Sequence, residues 1–307
     1  MKIFINNARE NWVVDRFIHE WNIYNYKQKR NFFGRGTIIW LISPWTWKKI
    51  PKKFLKKNKV VCTIHHIDED KFDDKALFEF QKRDEYIDLY HVISEKTEKQ
   101  VKKITKKQIK KIPFWVNDKL WFQIEGKEFL YEKYDLDKNN FHIGSFQRDT
   151  EGSDLISPKL SKGPDQFLDI VKYYSENYKN LVVLLAGKRR QYLINNLEKE
   201  GIKYRYLEMV SFQELNELYN LLNLYIVSSR FEGGPQAIME CALSKTPIIS
   251  TDVGIASEIL SNSSIYSMDN FKEARPDPEA AYRSVQKYIM PKGFDQFNKM
   301  FEAINEN

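Results

Sequence analysis

The amino-acid sequence predicts an α/β protein made of two doubly wound, Rossmann-like domains that face a central cleft. Three observations support this prediction: the chain length, a repeated order of strands and helices, and an irregular stretch between two such series. A chain of 307 residues is long for one hydrophobic core and fits two. We therefore expect ligands to bind where the carboxyl ends of two parallel sheets meet.

Short, nearly continuous apolar runs of strand length recur through the first half of the chain, with helical apolar spacing between them. Such runs are typical of parallel strands that helices cover on both faces. The expected strands of this half are residues 2–6, 37–42, 60–64, 89–93 and a short one ending at Pro113.

A second series of the same kind follows an irregular, charged stretch at 118–140, where we expect the inter-domain connection. Ser211 and Glu214 have the spacing of a capping box and mark the start of one of its helices. We predict domains at 1–137 and 138–307, with a last helix at about 293–304 that could pack back on the first domain. The expected strands of the second series are 141–144, 181–186, 204–207, 224–227 and 247–250.

Composition excludes several classes of protein. Hydrophobic residues make up 42% and charged residues 30% of the chain, which argues against extensive disorder. Neither a membrane-spanning run nor an export signal is evident, so we expect a cytoplasmic protein. Cys62 and Cys241 are expected to be buried thiols, and the five histidines have no zinc-like spacing. We therefore expect no metal ion and no cofactor.

The most informative segment spans residues 228–240 and reads Ser-Ser-Arg-Phe-Glu-Gly-Gly-Pro-Gln-Ala-Ile-Met-Glu. It follows a predicted buried strand, turns through two glycines and begins a helix. The glycines allow the backbone to approach a ligand, and the helix start favours a negative group. Glu232 and Glu240, eight positions apart, could contact different parts of one extended ligand. We expect Glu240 a little over two turns into the helix.

This segment resembles the signature of glycosyltransferase family 4, the retaining enzymes of the GT-B fold that use nucleotide sugars. That signature has two glutamates separated by seven residues, as Glu232 and Glu240 are. The likeness continues through Lys245–Gly254, which is similar to the strand and glycine turn that follow the signature. The resemblance implies that Glu232 contacts the donor hexose and Glu240 the ribose hydroxyls of the nucleotide.

The resemblance implies further donor contacts in the second domain. The family has an arginine and a lysine that neutralise the leaving diphosphate, and Arg148 and Lys162 are similar to this pair. Here a stretch from Asp149 to Ser161 separates them more widely than is usual in the family. The remaining expected donor-binding residues are Gly144, Ser145, Gly187, Lys188, Tyr206, Ser229, Phe231, Gly233, Gly234 and Pro235.

In the first domain, His65 and His66 end a predicted strand where the family often has a histidine that reaches the donor sugar. His65 is the better match in position and is expected to take part in catalysis, with His66 as a sugar or acceptor contact. Asn11 and Trp12 occupy the stretch where relatives have a glycine-rich loop, which this sequence lacks. We expect them to contact the acceptor or the sugar.

Positive charge is concentrated in the first half of the chain. Residues 1–140 hold 30 Lys and Arg against 20 Asp and Glu, or +10, whereas residues 141–307 hold 19 against 22, or −3. Trp45–Lys59 combines tryptophans with a lysine cluster, a pattern typical of an anionic membrane interface. A membrane surface is therefore a candidate partner, at the inner face of the cell membrane, and a lysine-rich solvated face explains the charge equally well. Nucleic acid is not an expected partner.

Together these features predict a metal-independent, retaining hexosyltransferase that uses a nucleotide-diphosphate sugar. A glycan, lipid-linked or cell-envelope molecule is the expected acceptor, as in polysaccharide biosynthesis. Two alternatives stay open. One is a nucleotide-sugar epimerase or a phosphorylase-like enzyme of the same fold, and the other is a non-catalytic protein that binds membrane or nucleic acid.

Overall fold

The computed structural model describes residues 1–6, 8, 13–32 and 34–306. These residues form two compact units, one of 1–115 with 290–307 and the other of 116–289. Each unit contains a six-stranded sheet in which all the strands are parallel. The predicted α/β class is therefore confirmed.

Strands and helices alternate along most of the first unit. Its sheet has the strand order β2-β1-β3-β4-β5-β6. Strands β3, β4 and β5 are buried along their whole length because helices cover both faces. The elements are β1 Ile3–Asn6, α1 Val13–Tyr24, β2 Lys29–Arg30, β3 Ile38–Leu41, α2 Lys52–Leu55, β4 Val60–Ile64, α3 Asp74–Asp84, β5 Leu89–Val92, α4 Glu95–Lys102 and β6 Gln108–Lys111.

The second unit repeats this alternation with the strand order β12-β11-β10-β7-β8-β9. Ser211 and Glu214 form the predicted capping box at the start of α8. The elements are α5 Glu128–Lys133, β7 Phe141–Ser145, α6 Pro164–Asn177, β8 Leu181–Ala186, α7 Gln191–Lys199, β9 Tyr204–Leu207, α8 Phe212–Leu221, β10 Leu224–Val227, α9 Gln236–Ser244, β11 Ile248–Thr251, α10 Ala256–Ile259, β12 Ile265–Tyr266 and α11 Pro278–Val285.

The last helix, α12 (Asp295–Glu306), belongs to the first unit. Its apolar side chains recur at helical spacing and are buried in the core beside Trp21, Trp40 and Trp115. The ring of Phe297 stacks on that of Phe114 with centroids 5.8 Å apart. This packing explains why the chain returns to the first unit after residue 289.

The compact units differ from the division at residue 137 that the sequence suggests. The segment after Trp115 packs on α8 of the second unit, where the Trp121 ring meets the Tyr219 ring edge-on at 5.8 Å. Asn220 Oδ1 accepts a hydrogen bond from the Ile124 N–H at 2.8 Å. The boundary expected after 137 therefore lies inside the second unit, and the chain crosses between units at 115/116 and 289/290.

The order of strands in the second sheet defines one special position. The chain leaves β7 towards β8 and β9 on one side and returns to form β10 on the other side of β7. Strands β7 and β10 are direct neighbours and run parallel. In open sheets of this kind, ligands bind at the carboxyl ends of the strands where the order reverses. The sequence after Ser145 and after Val227 is therefore where a site is expected.

Candidate functional site

The reversal of strand order between β7 and β10 is called the switch point below. Hydrogen bonds to backbone groups hold the loop that follows β10 at this position. The Thr251 hydroxyl, at the end of the neighbouring strand β11, donates to the Ser229 carbonyl at 2.6 Å. The N–H groups of Arg230 and Phe231 both donate to the Ser161 carbonyl, at 2.9 and 3.1 Å. The predicted donor loop is thereby attached to the segment that contains Lys162.

Gly163 allows that segment to approach β10 closely. Its φ is +60°, and a Cβ placed on it would lie 1.8 Å from the Ser228 carbonyl oxygen. A side chain would therefore clash with the backbone, in addition to the strain of the left-handed conformation. Helix α6 begins directly after Gly163, so the positive end of its dipole lies beside Lys162.

Lys162 itself is fixed through its backbone. Its carbonyl accepts a hydrogen bond from Gln147 Nε2 at 3.0 Å and one from Ser228 Oγ at 3.3 Å. Gln147 belongs to the turn after β7, and Ser228 directly follows β10. The lysine is thus attached to both strands of the switch point, and its side chain is the part that can move.

The Lys162 ammonium forms an ion pair and hydrogen bond with Glu232 Oε1. The two side chains are 20% and 11% exposed, so the pair is largely withdrawn from water yet reachable. Ser229 Oγ lies 3.4 Å from the same carboxylate oxygen and 3.3 Å from Gln147 Oε1. Two predicted site residues that lie 70 positions apart in the sequence are therefore brought together.

Glu240 is buried, and the Tyr219 hydroxyl donates to its Oε2 at 2.9 Å. Burial raises the pKa of Tyr219 well above its ordinary value, so this phenol remains a donor. The expected depth of Glu240 in its helix is wrong. Because Pro235 caps the helix, α9 begins at Gln236 and Glu240 is its fifth residue.

Glycines shape the rest of the site. Gly233 faces the turn after β11 so closely that a Cβ on Gly254 would lie 2.1 Å from the Gly233 carbonyl oxygen. In β7, a Cβ on Gly144 would lie 2.4 Å from the Leu222 side chain. Gly187, with φ +86°, turns the chain after β8, and a Cβ on it would make only an ordinary contact, at 3.7 Å, with the Phe146 carbonyl oxygen. Gly144 and Gly254 thus leave no room for a side chain, and Gly187 has the left-handed conformation that favours glycine.

The other predicted donor residues lie in β9 or in the connections that follow β7, β8 and β10. Arg148 and Lys188 are exposed, in the turns after β7 and β8 respectively. Arg148 and Lys162 line one small pocket, together with Ser145 and the start of α6. Tyr206 is half-buried in β9, and its hydroxyl has no hydrogen-bond partner within the described part of the chain. Phe231, Gly234 and Pro235 belong to the loop between β10 and α9.

Sequence reasoning missed Arg190, which also lines this pocket. Its guanidinium is fully buried, donates to the Ser145 carbonyl at 2.8 Å and lies 3.4 Å from Asp149 Oδ2. Burial raises the pKa of Asp149 to about 6, and the neighbouring Arg190 charge opposes that rise. The sequence signal was the basic turn Gly187–Arg190, but it does not reveal which arginine points inward.

In the first unit, His65 follows β4 and its ring is half-buried. Its Nε2 lies 2.8 Å from the Ile42 carbonyl oxygen, and the ring stacks on Phe114 with centroids 5.9 Å apart. Burial lowers its pKa to about 4, so the ring is neutral near pH 7. Since a carbonyl only accepts, Nε2 carries the proton and Nδ1 has a free lone pair.

The other residues expected in the first domain are less informative. His66 is exposed next to His65. Asn11 and Trp12 lie outside the described residues. Within the described ranges, no group of three or more His, Cys, Asp or Glu side chains could hold a metal ion. No helix in this part of the chain is long and apolar enough to cross a membrane.

Residues 157–304 match the family model described as "Glycosyl transferases group 1". The match includes Lys162, Glu232 and Glu240. The O-antigen chain mannosyltransferase RfbU of Salmonella typhimurium is 24% identical, over 85% of this chain and 74% of the relative. The family-model match therefore includes the segment that forms the ion pair and the helix carrying Glu240.

Solved structures with the same fold extend this likeness to nearly the whole chain. HepE (Alr3699) of Anabaena, in complex with UDP and glucose, has a TM-score of 0.76 at 12% identity, over 99% of this chain and all of the other. Sucrose-phosphate synthase of Thermosynechococcus elongatus has a TM-score of 0.71 at 14% identity, over 97% of this chain and 80% of the other. The fold is the GT-B fold, and the similarities together support a glycosyltransferase of the group 1 type.

Proposed function

We propose that the protein is a retaining glycosyltransferase of family 4 that transfers a hexosyl unit from a nucleotide-diphosphate sugar. One observation carries the proposal: near the carboxyl ends of β7 and β10, Lys162 and Glu232, the first glutamate of the family-like signature, form one partly exposed ion pair. A cation for a diphosphate and a carboxylate for sugar hydroxyls are the two groups that such a donor needs.

The second unit would bind the donor. When the bond to the anomeric carbon breaks, negative charge collects on the β-phosphate, and a fixed cation stabilises it. Lys162 supplies that charge beside the start of α6, and Arg148 can add a bidentate contact from the neighbouring turn. Glu232 would bind hexose hydroxyls. Gly144 and Ser145, at the end of β7, and Gly187, after β8, would approach the nucleotide with their backbone.

Glu240 would accept hydrogen bonds from the ribose. One of its oxygens already accepts the Tyr219 hydroxyl, which orients the carboxylate. Tyr206 and Lys188 would lie beside the nucleoside, at the ends of β9 and β8. We assign His65 Nδ1 to accept a hydrogen bond from a hydroxyl of the donor sugar. His66, Asn11 and Trp12 would contact the acceptor substrate or the sugar. This assignment rests on the neutral ring of His65 and on the family pattern.

The reaction is proposed to need no metal ion, because lysine, arginine and a helix dipole can together offset the charge of the leaving diphosphate. The expected result is that EDTA leaves the initial rate unchanged. A rate that falls with EDTA and returns with Mg²⁺ or Mn²⁺ would refute this part of the proposal.

A glycan, lipid-linked or cell-envelope molecule is the proposed acceptor. The Salmonella relative is an O-antigen chain mannosyltransferase, and its similarity supports a growing polysaccharide and a mannosyl donor. The Anabaena protein was solved in complex with UDP and glucose, and its likeness supports a nucleotide-diphosphate hexose as the donor class.

We further propose a cytoplasmic enzyme that touches the inner face of the membrane through the lysine-rich segment at 45–59. Trp45 is 48% exposed there, beside exposed lysines, whereas Trp47 and Leu55 are buried in the core and cannot reach lipid. Lys48 is paired with Glu79 at 2.5 Å, which reduces the free charge. Vesicles with anionic lipid should bind the protein in a salt-sensitive manner. Trp45→Ser should weaken this binding, and equal binding to neutral vesicles would contradict the idea.

The donor assignment is tested first by thermal unfolding with UDP-glucose, GDP-mannose, UDP, GDP and ADP. A ligand that binds only the folded state raises the unfolding temperature. We expect a shift with at least one sugar nucleotide, and product analysis by NMR should show retained anomeric configuration. Epimerisation of the donor without an acceptor would favour the epimerase alternative. No shift with any sugar nucleotide would refute the proposed function.

A further inference from the structure

The two charges assigned to the donor neutralise each other in the protein without donor. Lys162 would bind the diphosphate and Glu232 the hexose, yet their side chains form an ion pair with each other. We propose that this ion pair is a specificity device: it disfavours binding of a nucleoside diphosphate alone, favours the intact nucleotide sugar, and so promotes release of the nucleotide product. This inference rests on the proposed function.

The argument begins with the burial of the two groups. Both side chains are mostly withdrawn from water, so each charge needs a partner at all times. A phosphate that takes the Lys162 ammonium leaves Glu232 without its cation. The Ser229 hydroxyl, 3.4 Å from Glu232 Oε1, is a single distant donor and does not by itself satisfy the carboxylate.

The intact donor offers partners to both groups at once. Its diphosphate pairs with Lys162, and the hydroxyls of its hexose donate to the Glu232 carboxylate. A nucleoside diphosphate offers the first partner but not the second, and its negative charge lies near the abandoned carboxylate. Binding of the nucleotide product is therefore weakened by the free energy that it costs to leave one partly buried carboxylate without a partner.

The backbone makes this exchange a local one. The Lys162 carbonyl is held by Gln147 and Ser228, and Gly163 is pressed against the Ser228 carbonyl. The Glu232 loop is attached to the same segment through the Ser161 carbonyl. Only the ends of the two side chains need to move when the partner changes, so removing one charge should leave the site intact.

The experiment measures binding of UDP, GDP and ADP to the wild-type chain and to variants by isothermal titration calorimetry. With the nucleotide that the wild type binds most tightly, Glu232→Gln should bind about tenfold more tightly, because Lys162 is no longer engaged. The matching nucleotide sugar should not gain in the same way. Lys162→Gln should weaken binding of both. Adding Glu232→Gln to Lys162→Gln should raise nucleotide affinity less than Glu232→Gln does in the wild type, since no lysine is then freed.

Glu217→Gln is the matched control. Glu217 accepts hydrogen bonds from Lys133 and the Tyr134 hydroxyl, both at 2.5 Å, in the same unit but on α8. Removing the negative charge of Glu217 should leave nucleotide affinity unchanged. Glu232→Ala is measured alongside, and thermal unfolding identifies any variant that does not fold. Because the alanine variant also frees Lys162, it should bind the nucleotide more tightly than the wild type as well.

Two negative results have different meanings. If the wild type binds a nucleotide and both Glu232 variants bind it equally or more weakly, the ion pair is not a specificity device and the proposed function still stands. If the wild type binds none of the nucleotides or their sugars, the proposed function is refuted and the inference with it.

Discussion

Gly163 is the residue at which a single added methyl group has the clearest expected effect. Its φ is +60° and the added Cβ would lie 1.8 Å from the Ser228 carbonyl oxygen. Gly163→Ala must therefore separate α6 from β10, the two elements that hold Lys162. We expect a loss of about 2 to 4 kcal/mol in the free energy of unfolding and a loss of nucleotide binding.

Gly201 provides a matched control for this variant. Its φ is +66°, but no atom lies within 4 Å of an added Cβ. Gly201→Ala thus carries the strain of the left-handed conformation without the clash, which costs about 1 to 2 kcal/mol. Urea unfolding of both variants separates the two effects. Equal losses, or unchanged nucleotide binding in Gly163→Ala, would contradict this account of the site.

At the scale of residues, the sequence identifies both members of the ion pair but does not predict that they contact each other. The family signature identifies Glu232, and the lysine before a glycine identifies Lys162. Their contact depends on the approach of the 161–163 segment to β10, which no local pattern encodes. Arg190 was missed for a related reason, because burial of one arginine in a run of basic residues is decided by the packing of β7 against β8.

At the scale of secondary-structure elements, the buried parallel strands were the best predicted part. Runs such as Val60–Ile64 and Leu181–Ala186 are apolar throughout because helices cover both faces of the sheet. An uninterrupted apolar run of strand length was therefore enough to predict them. Helix ends were less well predicted. Helix α9 begins only after Pro235, so Glu240 lies less deep in it than the sequence suggests. The packing of 116–137 on α8 depends on contacts far along the chain.

The turns after β7 and β8 are joined by the buried Asp149 and Arg190 side chains. Arg190→Met removes the donor to the Ser145 carbonyl and leaves the Asp149 carboxyl buried without its cation. Breaking a buried pair by removing one partner costs about 3 to 5 kcal/mol. We expect that loss in urea unfolding, together with weaker nucleotide binding because Gln147 and Lys162 lose their alignment.

Glu217→Gln again serves as the comparison. It disturbs a pair in the same unit away from the switch point, so it should lower stability without changing nucleotide affinity. Arg190→Lys keeps the charge and should restore part of the stability and of the binding. If Arg190→Met weakens stability alone, the Asp149–Arg190 pair is structural and does not position the site.

At the scale of the whole molecule, each unit contains a fully buried histidine. Burial lowers the pKa of His91 to about 3 in the first unit and that of His142 to about 4 in the second. The unfolded chain takes up protons near the ordinary histidine pKa of about 6.5, and the folded chain does so only at the lowered values. The contribution of these histidines to stability is therefore full above about pH 6.5 and falls by about 1.4 kcal/mol per pH unit and per histidine as the pH drops towards the lowered pKa values.

The two histidines should respond differently to replacement. His91 Nδ1 lies 2.9 Å from Thr63 Oγ1 and its Nε2 lies 2.7 Å from the Ile112 carbonyl oxygen, whereas neither nitrogen of His142 has a partner within the described ranges. His142→Phe should therefore lose no hydrogen bond and should reduce the fall in stability between pH 7 and pH 5. His91→Phe should lower stability, because the Thr63 hydroxyl and the Ile112 carbonyl each lose a buried hydrogen bond. Urea unfolding at pH 7, 6 and 5 tests both variants, and an unchanged slope in His142→Phe would show that another group governs acid stability in the second unit.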